Sequence, residues 1–493
     1  MKIENLLFRV SAEQKKFIIF LLINLFVLAF IGTIRLVLPT DSLEGIFWGS
    51  LHDFGTPKHP PLAAWITYCV YSLFKTDISV YLLCTIFITT GFFYIYKLAK
   101  FFLDEKKAVL SVLIMEGCWA YTYITSYYGF NPDVVLLCFL PMITYYAYKA
   151  VNINNFSDWI KLGIIAGLSL LDKYQTILVI LPLLIWVSFF KRSVFKNKYF
   201  YISVLITFLL FLPHLMWLVK YDFFPLLYFN GELSSANNIR QIWEPVIFLS
   251  MQLTALAGTL LFFAILLLKQ KMPFKVSFSA DEKSWFLILT GFMPLIIHLL
   301  TGIITGGSMR PRWGYEFLFL TGIMLFYFIP TKEISKEDFN LTLKLAYFAM
   351  FVAAVAMTTL LGTEKNYRSR YPVSTINNDL NNAWNKETDS PLKYIGGYIE
   401  WTLPLTVYAP SHPVCILDTN GYKNPWIDKN DLKKSGLIII DRTQEDITAD
   451  FKKIFPEEKN KNIKPAEYRF KVRNALNKER EYCIYYLIVP PVK

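Results

Sequence analysis

The chain reads as an all-α polytopic membrane protein of about eleven transmembrane helices, followed by a small C-terminal α/β or α+β domain. Three observations predict this. Of its 493 residues, 54% are hydrophobic and only 18% are charged, where a soluble domain carries about a quarter. Apolar runs recur along most of the chain with charged or turn residues between them, and crossing a bilayer core takes about 17–25 residues. From about Thr363 onward the sequence turns to Asn, Lys, Asp and Glu, and its apolar runs shorten to strand length.

The predicted spans lie near 17–38, 79–98, 107–126, 133–150, 158–172, 175–190, 199–219, 245–268, 285–305, 312–330 and 341–361, those at 158–172 and 175–190 being short. The first is too long for a signal-peptide core and has no small-residue cleavage site, so it is expected to remain as a helix. Lys2, Arg9, Lys15 and Lys16 precede it. Further basic clusters follow at Lys97, Lys100, Lys106 and Lys107, at Lys191, Arg192, Lys196 and Lys198, and at Lys269, Lys271, Lys275 and Lys283. With this layout all four fall on one side, which the positive-inside rule assigns to the cytoplasm. The net charge of +12 is therefore spread over short loops. It forms no basic stripe with interleaved aromatics, so nucleic acid is not expected as a partner. The lipid bilayer is.

An odd number of spans puts the C-terminal domain on the outer face. The expected division is a transmembrane domain over 1–362, with an outer loop at 39–78, and a C-terminal domain over 363–493. Within the latter, LTVYA, VCILD, GLIIID and CIYYLIV read as strands. Cys69, Cys84, Cys118 and Cys138 fall in apolar segments and read as packing residues. Cys415 and Cys483 would face an oxidising compartment, which leaves a disulfide open.

The stretch DSLEGIFWGSLHDFGTPKHPPLAAW, Asp41 to Trp65, is the densest polar run near the start. Asp41 and Glu44 are one helical turn apart and would share a face. Lys58 and His59 precede Pro60-Pro61, which fixes the backbone before a new helix begins. In the expected topology the other unusual polar residues also reach the outer face: Asn131-Pro132-Asp133, Asp172-Lys173-Tyr174, Lys220 to Asp222, Glu232, Arg240, Glu244, and Arg310-Pro311-Arg312-Trp313. Carboxylates and cations meeting at a membrane–water boundary suit a reaction between a lipid-linked anion and a polar acceptor. A carboxylate takes the acceptor's proton and the cations stabilise the leaving phosphate.

The run from Glu44 through His59-Pro60-Pro61-Leu62 to Trp65 resembles the first outer loop of the GT-C glycosyltransferases of the protein-mannosyltransferase and aminoarabinose-transferase type, which take a sugar from a polyprenyl phosphate. Asn131–Asp133 and Lys173-Tyr174 are similar to further family positions, and the resemblance covers roughly residues 17–330. The family's acidic pair is usually adjacent, whereas here it is Asp-x-x-Glu, so only one acid can hold the catalytic position. Counting back from His59, Glu44 fits best. Lys58 stands where relatives often carry a small or acidic residue. The Lys/Asn/Ile-rich character and overall plan look like the phage-encoded serotype-converting O-antigen glucosyltransferases.

The resemblance implies an enzyme of the bacterial inner membrane with a periplasmic C-terminal domain. It would move a hexose, glucose in the narrower match, from a polyprenyl phosphate to lipopolysaccharide O-antigen or a lipid-linked glycan. Catalytic candidates are Glu44, Asp41 and Asp133. Lys173, Arg310 and Arg312 are candidates for the donor phosphate, and His59, Tyr174, Trp48 and Lys58 for substrate. Phe47, Trp48 and Trp243 would stack on sugar faces. No cofactor is expected, since the histidines show no ligand spacing; Asp41 and Glu44 are the pair that would hold a divalent cation.

Each residue also has a plainer reading. Thr40-Asp41 resembles a helix N-cap, Asp133 follows Pro132 as a cap would, and Lys173 could be an interface lysine extending its head to water. Arg310 and Arg312 beside Trp313 would also suit lipid headgroups. Lipid A or protein remain alternative acceptors. A lipid-linked-sugar flippase is the rival outside enzymes, though it would carry ionisable groups near the midplane and show internal symmetry.

Overall fold

The structure is a computed structural model, and it describes residues 11–226, 238–305, 309–363, 369–417, 424, 426–458, 460 and 462–491, with side chains at 238–242 left aside. Lys2, Arg9, Glu232 and the Arg240 side chain lie outside the described residues.

Every predicted span falls on a helix, continuous or broken. Among the described residues six helices are long and apolar enough to cross a membrane, and two bent pairs raise this to as many as eight. The first helix, Ala12–Gly32, begins earlier than its hydropathy suggests because Ser11 and Gln14 form a reciprocal capping box. It also stops at Gly32, so residues 33–39 are released to approach the site.

The bent pairs are Glu105–Gly117 with Trp119–Tyr128, at 59°, and Trp243–Ala255 with Ala257–Gln270, at 47°. Their breaks stack on each other. A Cβ on Gly117 would meet the Gly258 carbonyl carbon at 2.4 Å, so glycine on both sides lets the backbones touch. The second half of the first pair ends in a π-turn, Ile124–Tyr128. Such turns re-aim side chains, and many lie at functional sites.

The basic clusters meet at one end of the bundle. Lys191 pairs with Glu282, Lys269 with Asp338 and Lys100 with Glu105. Lys106 and Lys283 donate to the carbonyls of Ile334 and Phe101.

At the opposite end sit the Thr40–Ser50 and Leu62–Phe74 helices and the C-terminal domain. A five-stranded sheet runs in the order β2-β1-β3-β5-β4, with β1 Tyr394–Gly397, β2 Val414–Leu417, β3 Leu437–Asp441, β4 Ala466–Arg473 and β5 Glu479–Val489. β1 is parallel to β2 and β3, and β5 is antiparallel to β3 and β4. The domain is held down by the Tyr408 hydroxyl, which donates to Asp77 at 2.7 Å and accepts from the Leu38 amide at 3.0 Å. Phe47 packs edge-on against Trp426.

One expectation is corrected here, and one pairing left open is decided. LTVYA is not a strand: it lies in the buried helix Ile399–Tyr408, while the glycine-bearing YIGG at 394–397 forms a strand instead. A short all-apolar run has no period to separate the two states. The disulfide left open between Cys415 and Cys483 does not form. The two cysteines lie on β2 and β5 with β1 and β3 between, roughly 14 Å at the usual strand spacing, and a disulfide needs Cα atoms within about 7 Å.

Candidate functional site

Pro39, not Asp41, occupies the N-cap of the Thr40–Ser50 helix. This places Asp41 and Glu44 inside the helix on one face, as their spacing requires. Asp41 makes no capping bond; its Oδ2 accepts from Arg312 Nη1 at 3.0 Å and from Asn131 Nδ2 at 3.2 Å. Asn131 also caps the Pro132–Ile153 helix, its Oδ1 accepting from the Val134 amide at 3.1 Å. With the cap supplied by Asn131, the Asp133 carboxylate turns to Lys173 Nζ at 2.5 Å and lies 3.7 Å from Arg312 Nε.

Glu44 is 3% exposed and forms an ion pair with Lys58. Burial holds its carboxyl above the ordinary range, with Lys58 opposing and Asp41 adding to the rise. Lys58 Nζ also lies 5.6 Å from the Trp48 ring centroid. The Thr56 hydroxyl donates to the His59 carbonyl at 2.8 Å and accepts from the His59 amide at 3.0 Å, which closes the loop before Pro60. The His59 imidazole is pushed down to about 3 by burial and by Lys173 and Lys58, so it is neutral at physiological pH.

Lys173 sits in the turn after the Phe156–Leu170 helix, 7% exposed. Glu316 accepts from it at 3.1 Å opposite Asp133. Glu316 is fully buried in the break after Arg312–Tyr315. Nothing in the sequence pattern singled it out, because an acid within an apolar run reveals its partner only once Lys173 is brought to it. Asp172 is also fully buried, and neither carboxylate oxygen has a hydrogen-bond partner among the described residues.

A cavity of about 130 Å³ gathers nine of the ten sequence-predicted residues: Asp41, Glu44, Trp48, Lys58, His59, Asp133, Lys173, Arg310 and Arg312 all line it. Tyr174 does not. Its hydroxyl bonds His214 Nε2 at 2.8 Å, and His214 Nδ1 bonds the Phe54 carbonyl at 2.6 Å. Lys173 and Tyr174 are consecutive at the start of a tight turn, so their side chains diverge. Phe47 faces away, onto Trp426, and Trp243 is 59% exposed. Arg310 is exposed, its guanidinium 5.8 Å from the Trp313 ring.

A second cavity of about 240 Å³ shares Asp41, Glu44 and Lys58 with the first. The two acids thus border both cavities, the first with His59, Lys173, Arg310 and Arg312, the second with Arg35, Tyr127, Tyr128 and residues of the C-terminal domain. Among the described residues no three His, Cys, Asp or Glu side chains group as a metal ion would require.

Residues 58–217 match the family described as dolichyl-phosphate-mannose-protein mannosyltransferase. No curated protein sequence matches the chain. Among solved structures, ArnT from Cupriavidus metallidurans bound to undecaprenyl phosphate superposes with a TM-score of 0.63 at 11% identity, over 95% of this chain and 97% of that one. The same protein in the apo state gives 0.61 at 12% identity, over 97% and 98%. The oligosaccharyltransferase of Archaeoglobus fulgidus, tethered with an acceptor peptide, gives 0.45 at 10% identity, over 96% and 75%. The chain has the fold of ArnT, and the segment 58–217, which carries Lys58, His59, Asp133 and Lys173, is the part matched by the protein-mannosyltransferase family.

Proposed function

We propose that the protein is a glycosyltransferase that moves a hexose, glucose, from a polyprenyl phosphate to lipopolysaccharide O-antigen or a lipid-linked glycan at the periplasmic face of the bacterial inner membrane. The observation that carries the reading is the shared lining: Glu44 and Asp41 border both a cavity that holds Lys173, Arg310 and Arg312 and a second that holds Arg35 and three tyrosines. The donor phosphate belongs on the cationic side with Arg310, Arg312 and Lys173, and the acceptor enters from the other.

Glu44 takes the proton of the acceptor hydroxyl as its oxygen bonds to the anomeric carbon. The bond from that carbon to the phosphate oxygen breaks, its electron pair leaving with the phosphate. Arg312 stabilises that charge, and phosphate leaves well enough to need no second carboxyl as acid. His59, neutral, helps to hold the loop and donor in place. The similarity to ArnT, which binds undecaprenyl phosphate, supports the donor class.

The test is transfer of radiolabelled glucose from polyprenyl-phosphate-glucose to O-antigen in membranes with matched expression. Glu44→Gln should lower turnover about 10²- to 10⁴-fold, the usual weight of a general base. Equal transfer by both forms would remove Glu44 and move the role to Asp41 or Asp133. No transfer by either would refute the donor or acceptor.

A further inference from the structure

The connection between the Thr40–Ser50 and Leu62–Phe74 helices, 51–61, has neither helix nor sheet to satisfy its backbone, so its polar groups need partners of another kind. The Asp53 carbonyl accepts from Trp65 Nε1 at 3.0 Å. The Phe54 carbonyl accepts from His214 Nδ1 at 2.6 Å, and His214 comes from a separate element, the membrane-spanning helix Lys198–Lys220. At the far end of the loop the Leu62 amide donates to the Leu171 carbonyl at 3.0 Å, two residues before Lys173.

A carbonyl can only accept, so His214 Nδ1 carries the proton, and in the neutral ring Nε2 accepts from the Tyr174 hydroxyl at 2.8 Å. The imidazole is fully buried, with both nitrogens used. Trp217, three residues on and so on the same helix face, stacks on it at 16° with 5.8 Å between ring centroids. The loop lies on this tryptophan at Gly55, where a Cβ would come within 2.3 Å of Trp217 Cε3. Only glycine lets the backbone approach so closely. Beyond Gly55 the Thr56–His59 turn delivers Lys58 to Glu44. The transfer chemistry uses neither Tyr174 nor His214, yet the two join the turn that carries Lys173 to the loop that carries Lys58.

We infer that His214 is a positioning residue for the transfer reaction: by bridging Tyr174 to the Phe54 carbonyl, it holds the loop where Lys58 reaches Glu44. The charged groups that act on Glu44 are Lys58, Asp41 and Arg312, and Lys173, Arg310 and neutral His59 line the same cavity. Asp41 and Arg312 are held by each other and by Asn131 and Asp133, all outside the loop. Releasing the loop therefore takes from Glu44 the one cation that the loop supplies, and that cation is the one that most strongly opposes the rise of its carboxyl. The inference rests on the transferase reading above, with Glu44 as the base.

The test measures transfer from polyprenyl-phosphate-glucose to O-antigen by the full chain in membranes, as kcat and as the pH profile of kcat/KM. The forms compared are wild type, His214→Phe, His214→Asn, Lys58→Met and the double variant His214→Phe with Lys58→Met. His214→Phe keeps a ring on Trp217 and removes both hydrogen bonds. It should lower kcat about 10- to 100-fold, the usual cost of a small misplacement around reacting groups. Its acid limb should move to higher pH, as in Lys58→Met, because Glu44 loses the same cation and a base works only when deprotonated. The double variant should lie no higher than either single one, since residues acting through one contact do not add. His214→Asn, whose amide N–H can still meet the Phe54 carbonyl, should recover most of both effects. If His214→Phe loses its thermal transition, Gly55→Ala, which lifts the loop off Trp217, carries the same comparison. A limb that moves in Lys58→Met but stays in place in the His214 variant would overturn the inference, whether kcat falls or not, and leave His214 a packing residue. Additive shifts in the double variant, or no recovery by His214→Asn, would overturn it as well. A limb that stays in place in Lys58→Met too would remove the base assignment along with the inference. Absence of transfer by wild type would overturn the transferase reading and the inference with it.

Discussion

Arg312 ties together two acids that lie 92 residues apart in the chain (133 − 41), its Nη1 3.0 Å from Asp41 Oδ2 and its Nε 3.7 Å from Asp133 Oδ2. The fork shape matters, because it offers two separate nitrogens, Nη1 and Nε, to the two acids, and the single nitrogen of a lysine cannot stand in both places. Arg312→Lys should therefore lower kcat/KM roughly 10- to 100-fold, the cost of one charge-assisted bond, even though the charge is kept. Transfer kinetics in membranes check this, and a rate equal to wild type would deny the fork its role.

Lys173 holds Asp133 and Glu316 from opposite sides, with Asp172 buried beside it. Lys173→Met leaves those acids without their central cation. It should lower stability by about 3–5 kcal/mol, as breaking one side of a buried ion pair does. Adding Glu316→Gln should restore part of that. Thermal unfolding of the purified variants in detergent reads both, and a double variant no more stable than the single one would exclude the pairing as the cause.

The pH profile should carry the signature of Glu44. Its carboxyl is held above the ordinary range by burial, with Lys58 pulling it down. A general base works only when deprotonated, so the acid limb of kcat/KM should lie at higher pH than for an exposed glutamate. Lys58→Met removes the opposing charge and should move that limb further up. A limb that stays in place, or moves down, would disconnect the profile from this pair.

Gly117 and Gly258 let two broken spans touch at their breaks. Gly117→Ala puts a methyl against backbone that no side-chain rotation can clear. The expected loss is about 1–3 kcal/mol, typical of overpacking. A melting temperature equal to wild type would show that the two helices can separate there without cost.

Much of this protein was legible because the bilayer imposes a one-dimensional rule on the chain. Spanning runs, basic loops and turn residues are local features, and all eleven predicted spans lie on helices. The Asp41–Glu44 spacing on one helix could likewise be read directly, whereas the cap read at Asp133 belongs to Asn131. Local signals were weaker where one residue could serve two ends. Asp41 looks like a cap, but Pro39 takes that position and Asp41 goes to Arg312. Lys173 and Tyr174 look like a joint motif, yet only Lys173 reaches the cavity.

Local sequence was enough for the helical runs and for the polar residues gathered towards one end, but not for the breaks at Cys118 and Leu256, where each segment reads as a single span. Which charges meet came only with helix packing: Glu316 and Asp133 around Lys173, and Lys58 on Glu44. The reason is physical. Helix formation depends on neighbours within a turn or two, whereas a buried charge takes its partner from whatever helix packing brings within about 4 Å, and that partner can lie hundreds of residues away.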